Sequence, residues 1–123
     1  MKHIALIGCA HIHTPNFVKK LASRTDVRVD MVWDHDAERA KKNAEQLPHS
    51  RVIAAMDEAF DDKSIDAVVI CSETDRHSDL VVGAAEAKKY MFVEKPLGIG
   101  AKDAYRMASA IEKAGVMFQT GYF

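Results

Sequence analysis

The feature that most constrains the fold is a regular alternation, from end to end, of short apolar runs with amphipathic stretches. The runs are His3 to Gly8, Val27 to Asp34, Arg51 to Ala54, Ile65 to Ser72, Tyr90 to Glu94 and Val116 to Thr120. They are short and mostly continuous in Val, Ile, Met and Phe, the form taken by strands covered on both faces. Between them, apolar residues recur at helical spacing: Phe17/Val18/Leu21/Ala22, Ala37/Ala40/Ala44/Leu47, Leu80/Val81/Ala84/Ala85 and Ala104/Met107/Ala108/Ile111. A shorter helix is expected over Asp57 to Phe60 with Asp57 as its cap, and Gly115 is placed to close the last helix. Strand and helix in strict turn mean βαβ repetition, so the expected fold is α/β: a Rossmann-type, doubly wound parallel sheet of about six strands with helices on both faces.

Length agrees with a single domain: 123 residues, 48% of them hydrophobic, suffice for one core. Seventeen Lys and Arg against eighteen Asp and Glu leave a net charge of -1 without a one-signed run. Nucleic acid and anionic membrane surfaces are therefore not expected as partners. The apolar start is too short for a signal peptide or a membrane span, and the two cysteines, Cys9 and Cys71, fit a reduced compartment. A cytoplasmic protein is expected. Both cysteines fall at the ends of strands that a Rossmann order makes neighbours, so a bridge under oxidation is a testable idea.

Four places carry candidate chemistry. The first is Gly8-Cys9-Ala10-His11-Ile12-His13, after strand one and before a helix, where a phosphate-binding turn belongs. Only the first glycine of a G-x-G-x-x-G turn is present. Ala10 still permits close approach of a phosphate, whereas His13 cannot pack as glycine would. The helix should therefore start late, near Pro15 with Thr14 as its N-cap. Backbone amides of the turn and of the helix start are expected to hold a diphosphate. A metal centre at His11 and His13 is not expected, because no cysteine or carboxylate joins them locally.

The second place is Asp34, 26 residues after Gly8, where such a unit puts an acid to accept from ribose hydroxyls. A carboxylate there repels a 2′-phosphate, which favours NAD over NADP, with His35 and Arg39 able to blur the choice. Capping of the next helix is the alternative role for Asp34. The third is Cys71-Ser72-Glu73-Thr74-Asp75-Arg76-His77, at the end of strand four, a turn that should line the dinucleotide. Its bland alternative is that Thr74 or Asp75 merely caps the helix. The fourth is Glu94-Lys95-Pro96-Leu97-Gly98. Lys95 could bring a positive charge to a substrate hydroxyl, with Glu94 holding its ammonium, and Pro96 is a candidate for a cis bond.

Taken together, Glu94-Lys95-Pro96-Leu97-Gly98, His77 and the Asp34, Asp36, Glu38, Arg39, Ala40 series resemble the N-terminal domain of the glucose-fructose oxidoreductase / inositol dehydrogenase (Gfo/Idh/MocA) family. The resemblance implies an NAD(P)-dependent oxidoreductase acting on sugars, cyclitols or related polyols. It implies Lys95 beside the nicotinamide as the catalytic residue, and Gly8, Ala10, His11, Ile12, Asp34, Ser72, Thr74, His77 and Glu94 along the cofactor. Ala10 and His13 depart from the family's glycine turn, and Asp75 stands where the family commonly has Asn. Residues 1 to 123 read as the dinucleotide-binding domain alone. The family's second domain, which handles the substrate, is not in this sequence, so the chain is expected to be a fragment and inactive by itself. A non-catalytic nucleotide-binding or redox-sensing module is the alternative, a doubly wound sheet with another ligand is a third reading, and a homo-oligomer is left open.

Overall fold

A computed structural model describes residues 1–121; Tyr122 and Phe123, the apolar end of the sequence, lie outside the described residues. Six strands run β1 (Lys2–Ile7), β2 (Val27–Trp33), β3 (Arg51–Val52), β4 (Ala67–Ile70), β5 (Tyr90–Val93) and β6 (Phe118–Thr120). Five helices lie between them: α1 (Thr14–Ser23), α2 (Ala37–Ala44), α3 (Asp57–Phe60), α4 (His77–Glu86) and α5 (Gly100–Ala114), with a 3-10 turn at Thr74–Arg76 leading into α4. All strand pairs are parallel and the order is β3-β2-β1-β4-β5-β6. This is the Rossmann order, whose reversal between β1 and β4 opens a crevice at the carboxyl ends of those strands.

Two apolar cores, one on each face of the sheet, explain why the strands read as continuous runs. Along β1, Ile4 and Leu6 face the core closed by Val18 and Ala40, while Ala5 and Ile7 face the one closed by Leu80, Val81 and Met107. Strand side chains point alternately to opposite faces, so a strand buried on both must be apolar at every position. Each fully buried aliphatic side chain contributes about 1.5–3 kcal/mol. The alternation breaks once, in β2. Val29 and Met31 face opposite cores, because the register shifts at Ile4/Ala5 and leaves Asp30 as the extra residue. Asp30 is bonded instead to His3 Nδ1 at 2.6 Å and Arg28 Nε at 2.6 Å.

Helix ends correct two local expectations. Helix α1 does start late, but Thr14 is its first helical residue and His13 the cap, with no side-chain capping bond. The Thr14 hydroxyl is buried, and its inward direction sets it against the Cys71 thiol rather than the helix start. In α3 the cap is Met56, and Asp57 lies inside the first turn. Gly115 closes α5 in the left-handed conformation at φ 68, as expected. The strand predicted over Ile65 to Ser72 is narrower, Ala67–Ile70.

Candidate cofactor site

The turn after β1 is held by the residues around it. Gly8 adopts φ +83, its N–H donates to the Trp33 carbonyl at 2.7 Å, and a Cβ placed on it would come within 2.5 Å of Ser72 Cβ. Any side chain there would clash with the turn after β4, so glycine is required by both torsion and space. Cys9 N–H donates to Asp34 Oδ1 at 3.0 Å, and His11 N–H to the Cys71 carbonyl at 2.9 Å. The amides of Ala10 and Ile12 are different: among the described residues neither has a hydrogen-bond partner. A half-buried turn that leaves two N–H groups unpaired offers an anion its donors.

The helix start offers none, contrary to expectation. Thr14 N–H donates to the His11 carbonyl, Asn16 and Phe17 N–H both donate to the His13 carbonyl, and Pro15 has no N–H. His11 to His13 wind directly into α1, and that winding consumes the donors a helix start ordinarily presents.

Asp34 is held from three sides. Its Oδ1 accepts from Cys9 N–H, and its Oδ2 accepts from Asp36 N–H at 3.1 Å and Arg39 Nε at 2.7 Å. The side chain is fully buried. It does not cap α2; Asp36 does, accepting from the amides of Glu38 and Arg39. Arg39 also reaches Glu73 Oε2 at 3.3 Å, and Glu73 receives His35 Nε2 at 2.5 Å. A bridge of His35, Arg39 and Glu73 thus runs from the end of β2 to the end of β4 across the Asp34 carboxylate. Burial works to raise the Glu73 carboxyl, but the hydrogen bond from His35 and the charges of His35 and Arg39 bring it below its ordinary range.

In the turn after β4, Ser72 is buried with its hydroxyl donating to the Glu73 carbonyl, and Thr74 is half-buried in the 3-10 turn. Neither Thr74 nor Asp75 makes a capping bond. His77 corrects the expected cofactor contact: it is 0% exposed, with Nδ1 2.9 Å from the Leu97 carbonyl and Nε2 3.1 Å from the Ser72 carbonyl. It ties the turn after β4 to the loop after β5 and presents no atom to the crevice.

Glu94 and Lys95 follow β5, and the Lys95–Pro96 peptide is cis. Both line a cleft of about 340 Å³ together with His13, Asn16, Lys20 and Gly121. Phe17 and Phe92 pack beneath it with ring centroids 5.1 Å apart. The expected hold of Glu94 on the Lys95 ammonium is not made. Successive residues of extended chain point to opposite sides, and Glu94, with its side chain 3% exposed, turns inward to His13 Nδ1 at 3.4 Å. Lys95 has no ion-pair partner among the described residues. His13, read in the sequence as a break in the glycine turn and as half of a histidine pair not expected to bind metal, lines the cleft beside Glu94. The contact spans 81 residues, and no local pattern signals it. His11 lies beside it at 4.9 Å between ring centroids, and burial lowers its pKa, opposed by the charge of Glu94.

A doubly wound sheet in the β3-β2-β1-β4-β5-β6 order, with a glycine turn and two free amides at its switch point, defines a dinucleotide-binding domain of the Rossmann class. Comparison with known proteins makes the assignment specific. Residues 2–122 match the model of the Gfo/Idh/MocA oxidoreductase family, NAD-binding Rossmann fold, and the chain belongs to that family. It is 34% identical over 119 residues to myo-inositol 2-dehydrogenase of Thermotoga maritima, covering 97% of this chain and 35% of that protein. It is 30% identical over 121 residues to scyllo-inositol 2-dehydrogenase (NAD(+)) of Bacillus subtilis, covering 96% and 34%. The crystal structure of a probable dehydrogenase from Thermotoga maritima superposes with a TM-score of 0.87 at 33% identity, over 97% of this chain and 35% of that one. The chain spans about a third of the length of the relatives it matches.

Proposed function

We propose that this chain is the cofactor half of an NAD-dependent dehydrogenase that moves a hydride between nicotinamide and a hydroxyl-bearing carbon of a cyclitol, sugar or related polyol. The observation that carries this is the pair of unpaired amides, Ala10 and Ile12, at the switch point, with a buried carboxylate to one side and an unpaired lysine to the other. The amides of the turn hold the diphosphate, and Gly8 lets it approach. Ile12, 83% exposed on the turn, covers its apolar edge. Asp34 accepts from the adenosine ribose once Arg39 swings aside, which gives preference to NAD over NADP. NAD, when bound, supplies the hydride acceptor. Lys95 orients the substrate hydroxyl and stabilises its oxygen as the proton passes to a base supplied by the remainder of the longer enzyme. Ser72 and Thr74 shape the floor, and Glu94 sets the inner wall beside Lys95. His77 acts through the two loops it ties together.

Substrate selection falls to the remainder of a longer enzyme, with residues 1 to 123 as its nucleotide-binding domain. The inositol dehydrogenases it resembles support a cyclitol or sugar as the substrate class. The same reading has the protein work in the cytoplasm, supported by two unpaired cysteines. No helix among the described residues is long and apolar enough to cross a membrane.

Trp33 is the only tryptophan, precedes Asp34 and has its carbonyl bonded to Gly8 N–H. Titration of the protein with NADH and with NADPH should quench its emission saturably, with NADH the tighter ligand. Absence of a response to both nucleotides would overturn the reading.

A further inference from the structure

The mouth of the cleft brings together two histidines and a buried carboxylate. His11, His13 and Glu94 each offer a ligand atom, and the three atoms lie within 4.8 Å of one another. The His13 Nδ1 to Glu94 Oε1 separation, 3.4 Å, is long for a charge-assisted hydrogen bond, which prefers about 2.7–2.9 Å. It equals the edge of a tetrahedral site: with bonds of about 2.0–2.2 Å, neighbouring ligand atoms stand about 3.3–3.6 Å apart. The Glu94 carboxylate is 3% exposed and the His13 ring 43%. An ion placed between them would sit against a buried anion on one side and face water on the other.

We propose that His11, His13 and Glu94 form a site for a divalent transition-metal ion of the zinc class, and that occupancy of this site excludes the dinucleotide. Two imidazoles and one carboxylate are a ligand set that zinc takes in open sites, where a water fills the fourth position.

The exclusion follows from the turn. His11 Nδ1 accepts a hydrogen bond from His13 N–H at 3.1 Å, so in this tautomer the proton is on Nε2. Ligation through Nδ1 displaces that bond directly. Ligation through Nε2 moves the proton to Nδ1, where it opposes the His13 N–H. Either route breaks the bond that shapes the turn carrying the Ala10 and Ile12 amides. The ion also links the turn after β1 to the end of β5, between which the nicotinamide half must pass. This second part rests on the dinucleotide reading above; the ion site itself does not.

The test begins without nucleotide. Titrated with cobalt(II), the protein should take up one ion per chain with the visible bands of a four-coordinate site, and zinc should bleach them. His11→Gln, His13→Gln and Glu94→Gln should each weaken cobalt binding by about tenfold or more, while His49→Gln, at an exposed position remote from the cleft, should leave it unchanged. His13 lies half-exposed, so its variant keeps the fold, which circular dichroism checks. A featureless titration, or a His13→Gln protein that binds cobalt as the parent does, overturns the site. NADH is then titrated with and without saturating zinc, and zinc should weaken it by about tenfold or more. Equal affinity overturns the exclusion. Failure of NADH to bind the metal-free protein overturns the dinucleotide reading and the exclusion with it, while the cobalt result still decides the ion site.

Discussion

Arg39 Nε donates to Asp34 Oδ2 at 2.7 Å, and that bond sets how the acid at the end of β2 can be used. The carboxylate already takes three donors and is fully buried, so an incoming ribose must displace one. The two backbone amides are fixed by the fold. Arg39, one-third exposed, is the donor able to leave. Once released, its guanidinium is also the group that would welcome a 2′-phosphate. Arg39→Gln should therefore raise the preference for NADH over NADPH, by about tenfold for one charge-assisted bond. Parallel fluorescence titrations of parent and variant measure the ratio; an unchanged ratio sinks the role assigned to Arg39.

Replacement of Gly8 tests the turn from beneath. A Cβ at this position meets Ser72 Cβ at 2.5 Å and its backbone at 2.7 Å, at a torsion of φ +83. Gly8→Ala should cost about 1–3 kcal/mol from the torsion, with the clash added, and should abolish nucleotide binding. Chemical denaturation supplies the first quantity and NADH titration the second.

Acid should loosen the bridge between the ends of β2 and β4. The folded-state pKa of Glu73 lies below its ordinary 4.5. Its contribution is therefore complete above that value and is lost as pH falls through the folded one. Melting temperatures measured from neutral pH down past about 4.5 should fall less steeply for Glu73→Gln than for the parent. Parallel curves would count against the bridge.

The thiols should be silent in the folded protein. Burial pushes the Cys71 thiol up to about 12, with the charge of Glu94 adding to it and Thr14 opposing, and burial likewise raises Cys9. The thiolate is the reactive form. An aromatic disulfide reagent at mildly alkaline pH should titrate neither cysteine in the native state and both after denaturation. Both thiols are free in the structure, and rapid native labelling, or only partial labelling after denaturation, would contradict this.

Lys89 is buried and donates to the carbonyls of Asp62 at 2.6 Å and Ile65 at 2.8 Å, and burial lowers its pKa. Lys89→Met removes the cost of burying a charge but takes a donor from two carbonyls, leaving Asp62 only its bond from Ile65 N–H at 3.1 Å. The second effect should win, with a loss of about 1–3 kcal/mol on denaturant unfolding. A more stable variant would show that desolvation dominates.

Much of this molecule was legible before its structure. The six apolar runs and their spacing predict the strands, because a strand buried on both faces has no freedom to be polar. The helical stripes predict which residues close each core. That Gly8, Asp34 and Lys95 fall at one edge of the sheet was legible because a Rossmann connection carries the end of every strand there, so position along the chain predicts place. Asp57 and Thr14 were misread as caps because several residues near a helix start can serve, and only packing chooses among them. Thr14 turned to the core.

What the sequence alone determined is the alternation, and with it the fold class, the sheet order expected of that class and the edge at which chemistry collects. The tertiary structure decided which side chains meet there. Asp34 is closed over by Arg39, His77 is buried between two carbonyls, and Glu94 turns from Lys95 to His13, 81 residues away. The reason is geometric. Periodicity is local and repeats every two or 3.6 residues, whereas a contact between the ends of β1 and β5 depends on the whole sheet being assembled, and no local period records it.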